Sequence, residues 1–162
     1  MKQLLILFGL VAGLSFGVQA QKFGHIDTQV LLGTLVNNSD FESNYQAKEL
    51  EWQSLITEME TNLQNLQMEL EDPNTNLPDV IRQNKERDFQ TQLQNYQSLL
   101  QSADQDLQSY KIELLQPLEN QLIEAVNSVG EEHGFTYIFT AVAIIYSDGE
   151  DVTDLVKTKL GL

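Results

Sequence analysis

Between Phe41 and Leu114 the apolar residues recur with a period that suits paired helices, and Pro73 and Pro78 interrupt the pattern. Tyr45, Trp52, Met59 and Leu66 form one row of a heptad, and Ile56, Leu63 and Leu70 form a second. Beyond the prolines, Phe89, Leu93, Tyr96, Leu100, Ala103, Leu107, Tyr110 and Leu114 alternate steps of four and three. The seam is narrow, because many positions between these residues are glutamine, asparagine or charged, so most of each helix must face water. Asp72 to Pro78 ends the first helix, since each proline removes a backbone donor and restricts the residue before it. So short a link makes consecutive helices neighbours. The pattern therefore predicts an antiparallel hairpin whose first helix, Phe41 to Leu70, extends about 45 Å at about 1.5 Å per residue.

The segments flanking the hairpin read differently. Phe23 to Asp27 suits a short strand, and Thr28 to Val36 a short helix with Val30, Leu31, Leu32 and Leu35 on one broad face. Ser39 or Asp40 is placed to cap the next helix, and Glu42 suits its positive end. Pro117 marks a point where the second long helix bends or restarts. Leu118, Leu122, Ile123, Val126 and Val129 continue an apolar face toward Gly134, a plausible stop. Phe135 to Thr140 and Val142 to Tyr146 are rich in aromatic and β-branched residues and read as strands, Ser147 to Glu150 as a turn, and Asp151 onward as a last helix. The expected fold is α+β: a small β-rich body, residues 21–40 and 115–162, into which a long helical hairpin arm, residues 41–114, is inserted. The two expected strands are apolar on both faces, which predicts cover by another subunit, with Phe23, Ile26, Phe135, Ile138, Ile144 and Tyr146 as candidates for that interface.

Residues 1–20 read as a cleavable secretory signal. Lys2 gives a positive flank, Leu4 to Val18 are almost wholly apolar, and Val18-Gln19-Ala20 offers small residues at the cleavage positions. The apolar run is too short for a spanning helix, so no stable membrane insertion is expected after cleavage. The chain has no cysteine, which excludes disulfides and a lipoprotein anchor in the oxidising compartment it enters. The formal charge is −15, and a surface of that sign repels nucleic acid.

Little in the chain suits catalysis. There is no nucleophile elbow and no phosphate-binding glycine loop. His25 and His133 stand apart without a second histidine at ligand spacing, and read as a strand residue and a helix-end residue. Asp148, Glu150 and Asp151 lack the spacing of a calcium loop and read as a turn and a helix start. No cofactor, metal or catalytic residue is expected.

The two ends of the chain carry a resemblance. Phe23-Gly24-His25-Ile26-Asp27 at the start, and Gly134-Phe135-Thr136-Tyr137-Ile138-Phe139 with Asp151-Val152-Thr153-Asp154-Leu155-Val156 at the close, resemble the OmpH/Skp family of periplasmic chaperones. Leu115-Gln116-Pro117-Leu118 is similar to the point where the returning arm re-enters the body. The resemblance implies a homotrimer whose bodies join and whose arms enclose a cavity. It also implies a periplasmic, ATP-independent function: holding unfolded outer-membrane proteins before their insertion. Known members are basic, whereas this chain is acidic. That removes attraction to acidic clients and lipopolysaccharide and leaves apolar and hydrogen-bonding contacts as the holding forces. Met59, Leu66, Leu70, Leu77, Ile81 and Phe89, on the outer parts of the arms, are the candidate client contacts. For Met59, Leu66, Leu70 and Phe89 the competing assignment is packing within the seam. The alternative function is a structural coiled-coil adaptor of the cell envelope.

Overall fold

The computed structural model describes residues 21–72 and 77–162. The expected signal segment and Pro73 to Asn76 of the breaker lie outside the described residues. The chain runs β1 (Phe23–Ile26), α1 (Thr28–Asn37), α2 (Phe41–Glu71), α3 (Asp79–His133), β2 (Tyr137–Thr140), β3 (Glu150–Asp151) and α4 (Thr153–Leu160), with one 3₁₀ turn at Ala141–Ala143.

Local chemistry sets most of these boundaries. The Asp27 carboxylate accepts hydrogen bonds from the amides of Gln29 and Val30 at 3.1 and 3.0 Å, which caps α1. At the start of α2 the capping oxygen is the Ser39 hydroxyl, which accepts from the Phe41 amide at 3.2 Å. Asp40 occupies the N-cap position but makes no side-chain cap bond. α3 ends at Gly134, whose φ of 68° is the left-handed conformation glycine adopts without strain. Asp151 Oδ1 accepts from the Thr153 amide at 2.9 Å and opens α4.

The sheet has three strands in the order β2-β1-β3, both pairs parallel, with Phe23 opposite Tyr137, His25 opposite Phe139, and His25 opposite Asp151 on the other edge. Strand alternation sends Gly24 and Ile26 inward and Phe23 and His25 outward. Gly24 permits a close approach that a side chain would block, because a Cβ there would stand 3.0 Å from the Phe135 ring. Behind the sheet, Ile26, Leu31, Leu35, Leu122, Ala125, Val129, Val152 and Val156 form the core.

Three expectations are corrected. α3 runs unbroken through Pro117, so the helix does not restart there. Residues on both sides hold it in place: Tyr110 sits in the arm seam and Leu118 packs on the body core. Second, Val142 to Tyr146 is not a strand but the 3₁₀ turn followed by irregular chain. β-propensity expresses packing on a paired surface, and this segment pairs with none of the described strands. Third, the second edge of β1 is filled instead by Glu150–Asp151, read from sequence as turn and helix start, and that pairing delivers Val152 and Val156 to the core.

Two substitutions separate packing from backbone strain. Leu31→Ala removes a fully buried side chain and should cost about 2–5 kcal/mol. Gly134→Ala should cost only about 1–2 kcal/mol, because no atom lies within 4 Å of the added Cβ and only the positive φ opposes it. Urea denaturation followed by circular dichroism should rank the two in that order; equal midpoints would show that Leu31 does not anchor the core.

Candidate functional site

The arm is built from α2 and the first two-thirds of α3. α2 has 31 residues and is about 46 Å long. Across the seam the partners run in opposite directions. Lys48 and Trp52 meet Asp106, Glu60 meets Tyr96, Glu69 meets Lys85, and the Leu70 carbonyl meets Arg82. Few of the described arm residues are buried, namely Phe41, Leu63 and Ala103, so apolar packing alone does not specify the register strongly. Polar pairs at defined heights supply what the seam lacks.

The most developed of these surrounds Asp106. One carboxylate oxygen accepts from the Trp52 indole N–H at 2.8 Å and from the Lys48 ammonium at 3.0 Å. Lys48 also lies 5.9 Å from the Trp52 ring centroid and 5.8 Å from that of Tyr110. The Lys48 and Trp52 hydrogen bonds hold the Asp106 carboxyl below its ordinary range, and the Asp106 hydrogen bond raises Lys48. Further out, the Tyr96 hydroxyl donates to Glu60 at 2.6 Å, and that carboxylate raises the phenol.

Met59, Leu66, Leu70 and Phe89 are half-buried positions of the arm, whereas Ile81 and its neighbour Val80 are exposed near the tip. Leu77 is half-buried beside the residues outside the description. None of the six lines the mid-arm depressions or the cavity on the body.

The body presents a second surface. On the outward face of the sheet, Phe23 stacks on Tyr137 with ring centroids 5.9 Å apart, and Tyr137 stacks on Phe139 at 5.9 Å. All three are exposed by more than two-fifths. Beside them Val142, Ile145 and Tyr146 project, and an open cavity lies between Phe23, Phe139 and the segment Ala143–Gly149. Of the interface candidates read from sequence, Phe23 and Tyr146 are on this surface, and Ile144 is half-buried along the same cavity. Ile26, 4% exposed, belongs to the core of the chain itself, with Phe135 and Ile138 packed against it. Tyr137, Phe139, Val142 and Ile145 were not singled out from sequence. Strand alternation from an inward Ile138 would have found the first two.

His25 lies on the same outward face, with Nδ1 3.1 Å from the Ser147 hydroxyl and Nε2 4.0 Å from Asp151. Ser147 is already engaged by the Gly149 amide, and Asp151 by Thr153, whose side-chain and backbone hydrogen bonds lower the carboxyl. These contacts tie a loop to the sheet. Among the described residues no group of three or more histidine or carboxylate side chains is placed to hold a metal ion, and no helix is long and apolar enough to cross a membrane.

The Asp106 cluster has a defined pH sign. A carboxyl depressed in the folded state stabilises the arm above its unfolded value of about 3.9, and that contribution is lost as pH falls through the lower folded value. Asp106→Ala should red-shift the emission of Trp52 and speed amide exchange in the surrounding turns of α2 at neutral pH. Asp106→Asn, which keeps an acceptor but not the charge, should fall between. Wild-type emission and exchange in Asp106→Ala would show that the cluster does not pin the arm.

A comparison with curated protein sequences finds no match. Among solved structures, a candidate outer membrane chaperone (OmpH-like) from Caulobacter crescentus superposes with a TM-score of 0.75 at 15% identity, covering 89% of this chain and 86% of that one. At that identity the likeness speaks to the fold. The sequence pattern of the family described as outer membrane protein (OmpH-like) matches residues 22–160. With that match running from the first strand to the last helix, the chain belongs to the OmpH-like family.

Proposed function

We propose that this protein is a periplasmic, ATP-independent holding chaperone that shelters unfolded outer-membrane proteins between helical arms and keeps them from aggregating. The observation that carries this reading is an arm that stands on a separate core, with apolar side chains such as Leu50, Met68, Val80 and Ile112 left exposed along it. A client that must stay unfolded and later be released suits many shallow contacts better than one deep pocket. Membership in the OmpH-like family supports the same reading.

The working unit in this proposal is a homotrimer joined through the outward sheet face. Phe23, Tyr137 and Phe139 form a contiguous exposed aromatic surface, and Ile144 and Tyr146 border it. Patches of this kind on soluble proteins mark association surfaces. Residues 21–40 and 115–162 act as the association domain and residues 41–114 as the arm. Export by the signal at residues 1–20 places the assembly in the periplasm. Ile81, exposed near the tip, is a client contact, and Met59, Leu66, Leu70, Leu77 and Phe89 contribute where the seam opens. The reaction is binding and release, with no bond chemistry and no cofactor.

Stoichiometric protein should keep a diluted, unfolded β-barrel membrane protein soluble without nucleotide, as measured by light scattering. Failure with several such clients would favour the adaptor reading. Replacing residues 51–107 by a short turn should preserve the oligomer in native mass measurements and abolish holding. Holding that survives this deletion would move the client site to the body. Tyr137→Asp should dissociate the oligomer, and an unchanged mass would remove the aromatic face from the interface.

A further inference from the structure

α2 carries a depression on one flank of the seam, midway along the arm and away from the tip. Its floor is Trp52 and Ile56 from α2 with Ala103 and Leu107 from α3, and Leu50 stands at its edge, 62% exposed. A second depression shares Leu50 and Gln53 with the first and continues along the same helix to Thr61. From Gln46 to Thr61 the two together follow α2 for about 22 Å at about 1.5 Å per residue. An extended polypeptide at about 3.3 Å per residue covers that length in about seven residues.

The rim selects by charge. Glu49 lines the first depression and Glu58 the second, and no basic side chain lines either. Lys48, next to Glu49 in the chain, is committed to Asp106 at 3.0 Å and to Glu51 at 3.6 Å. Gln46 and Gln53 add amides that can both donate to and accept from a peptide backbone. We infer that this mid-arm groove is a docking site for an extended client segment of about seven residues that alternates apolar with basic side chains, and that it rejects acidic segments. The inference rests on the holding-chaperone reading and assigns that activity a specific surface and a preferred client chemistry.

Trp52 is the only tryptophan of the chain and lies in the groove floor, so its emission reports occupancy directly. Seven-residue peptides of alternating valine and lysine, or of alternating valine and glutamate, serve as probes. The lysine peptide should shift Trp52 emission in a saturable way and compete with an unfolded client in the light-scattering assay, while the glutamate peptide should do neither. Leu50→Asn, which removes the apolar contact without adding charge, should weaken lysine-peptide binding about tenfold. Leu55→Asn, an exposed position of the same helix that lines neither depression, should bind as the wild type does and controls for folding. Equal binding of the two peptides, or unchanged binding in Leu50→Asn, would overturn the groove even if the wild type holds clients well. Loss of binding in both variants would overturn the assignment to this flank. A wild type that binds the lysine peptide selectively but holds no client would leave the groove standing and sink the chaperone reading instead.

Discussion

Everything outside the body depends on how the end of one helix is held. Leu122, Ala125 and Val129 follow one another by three and four residues on α3 and enter the core beside Ile26, Leu31, Val152 and Val156. The same 55-residue helix then serves as one rail of the arm, so the arm is continuous with a buried element and is not attached through a flexible joint. Pro117 falls between the two environments, and the helix passes through it. Packing on either side outweighs the lost backbone bond, which an isolated helix of this sequence would not tolerate as readily.

From that root outward the balance of forces changes. The body has a core shared by two helices, a sheet and the end of α3, whereas the arm has a two-helix seam that leaves most of each helix in water. Polar pairs take over the work of specifying alignment, and their spacing matters more than their strength. Lys48 with Asp106, Tyr96 with Glu60, and Lys85 with Glu69 each fix a different height of the hairpin. A structure pinned at intervals can yield locally between the pins while keeping its register, as the proposed holding of clients of varied shape would require.

The acidic charge fits the same arrangement. Carboxylates crowd the water-facing positions, and two cations on the arm, Lys48 and Lys85, are engaged by carboxylate neighbours. What remains is an anionic coat broken by apolar side chains such as Leu50 and Ile112. Such a coat resists self-association of the arms while leaving apolar side chains exposed, as the proposed holding function would use.

The hairpin was legible in the chain itself, because helical periodicity is a local property and a seam of two residues per heptad has no stable use except against another such seam. Tyr45, Trp52, Met59 and Leu66 carry that information within one segment, and the prolines after Asp72 require the reversal. The family likeness at the two ends was readable for the same reason, as a contiguous pattern. The fate of residues 142–151 was not. Val142 to Tyr146 has the composition of a strand and stays irregular, while Glu150–Asp151 has the composition of a turn and pairs with β1. Which segment fills a sheet edge is a competition among parts of the chain more than a hundred residues from β1, and Val152 and Val156 decide it by reaching the core. The tertiary structure likewise determined that Ile26 points inward while Phe23 points out, and that Asp106 meets Lys48 and Trp52. Strand facing and cross-helix pairing depend on what lies opposite, and no local window of sequence contains that partner.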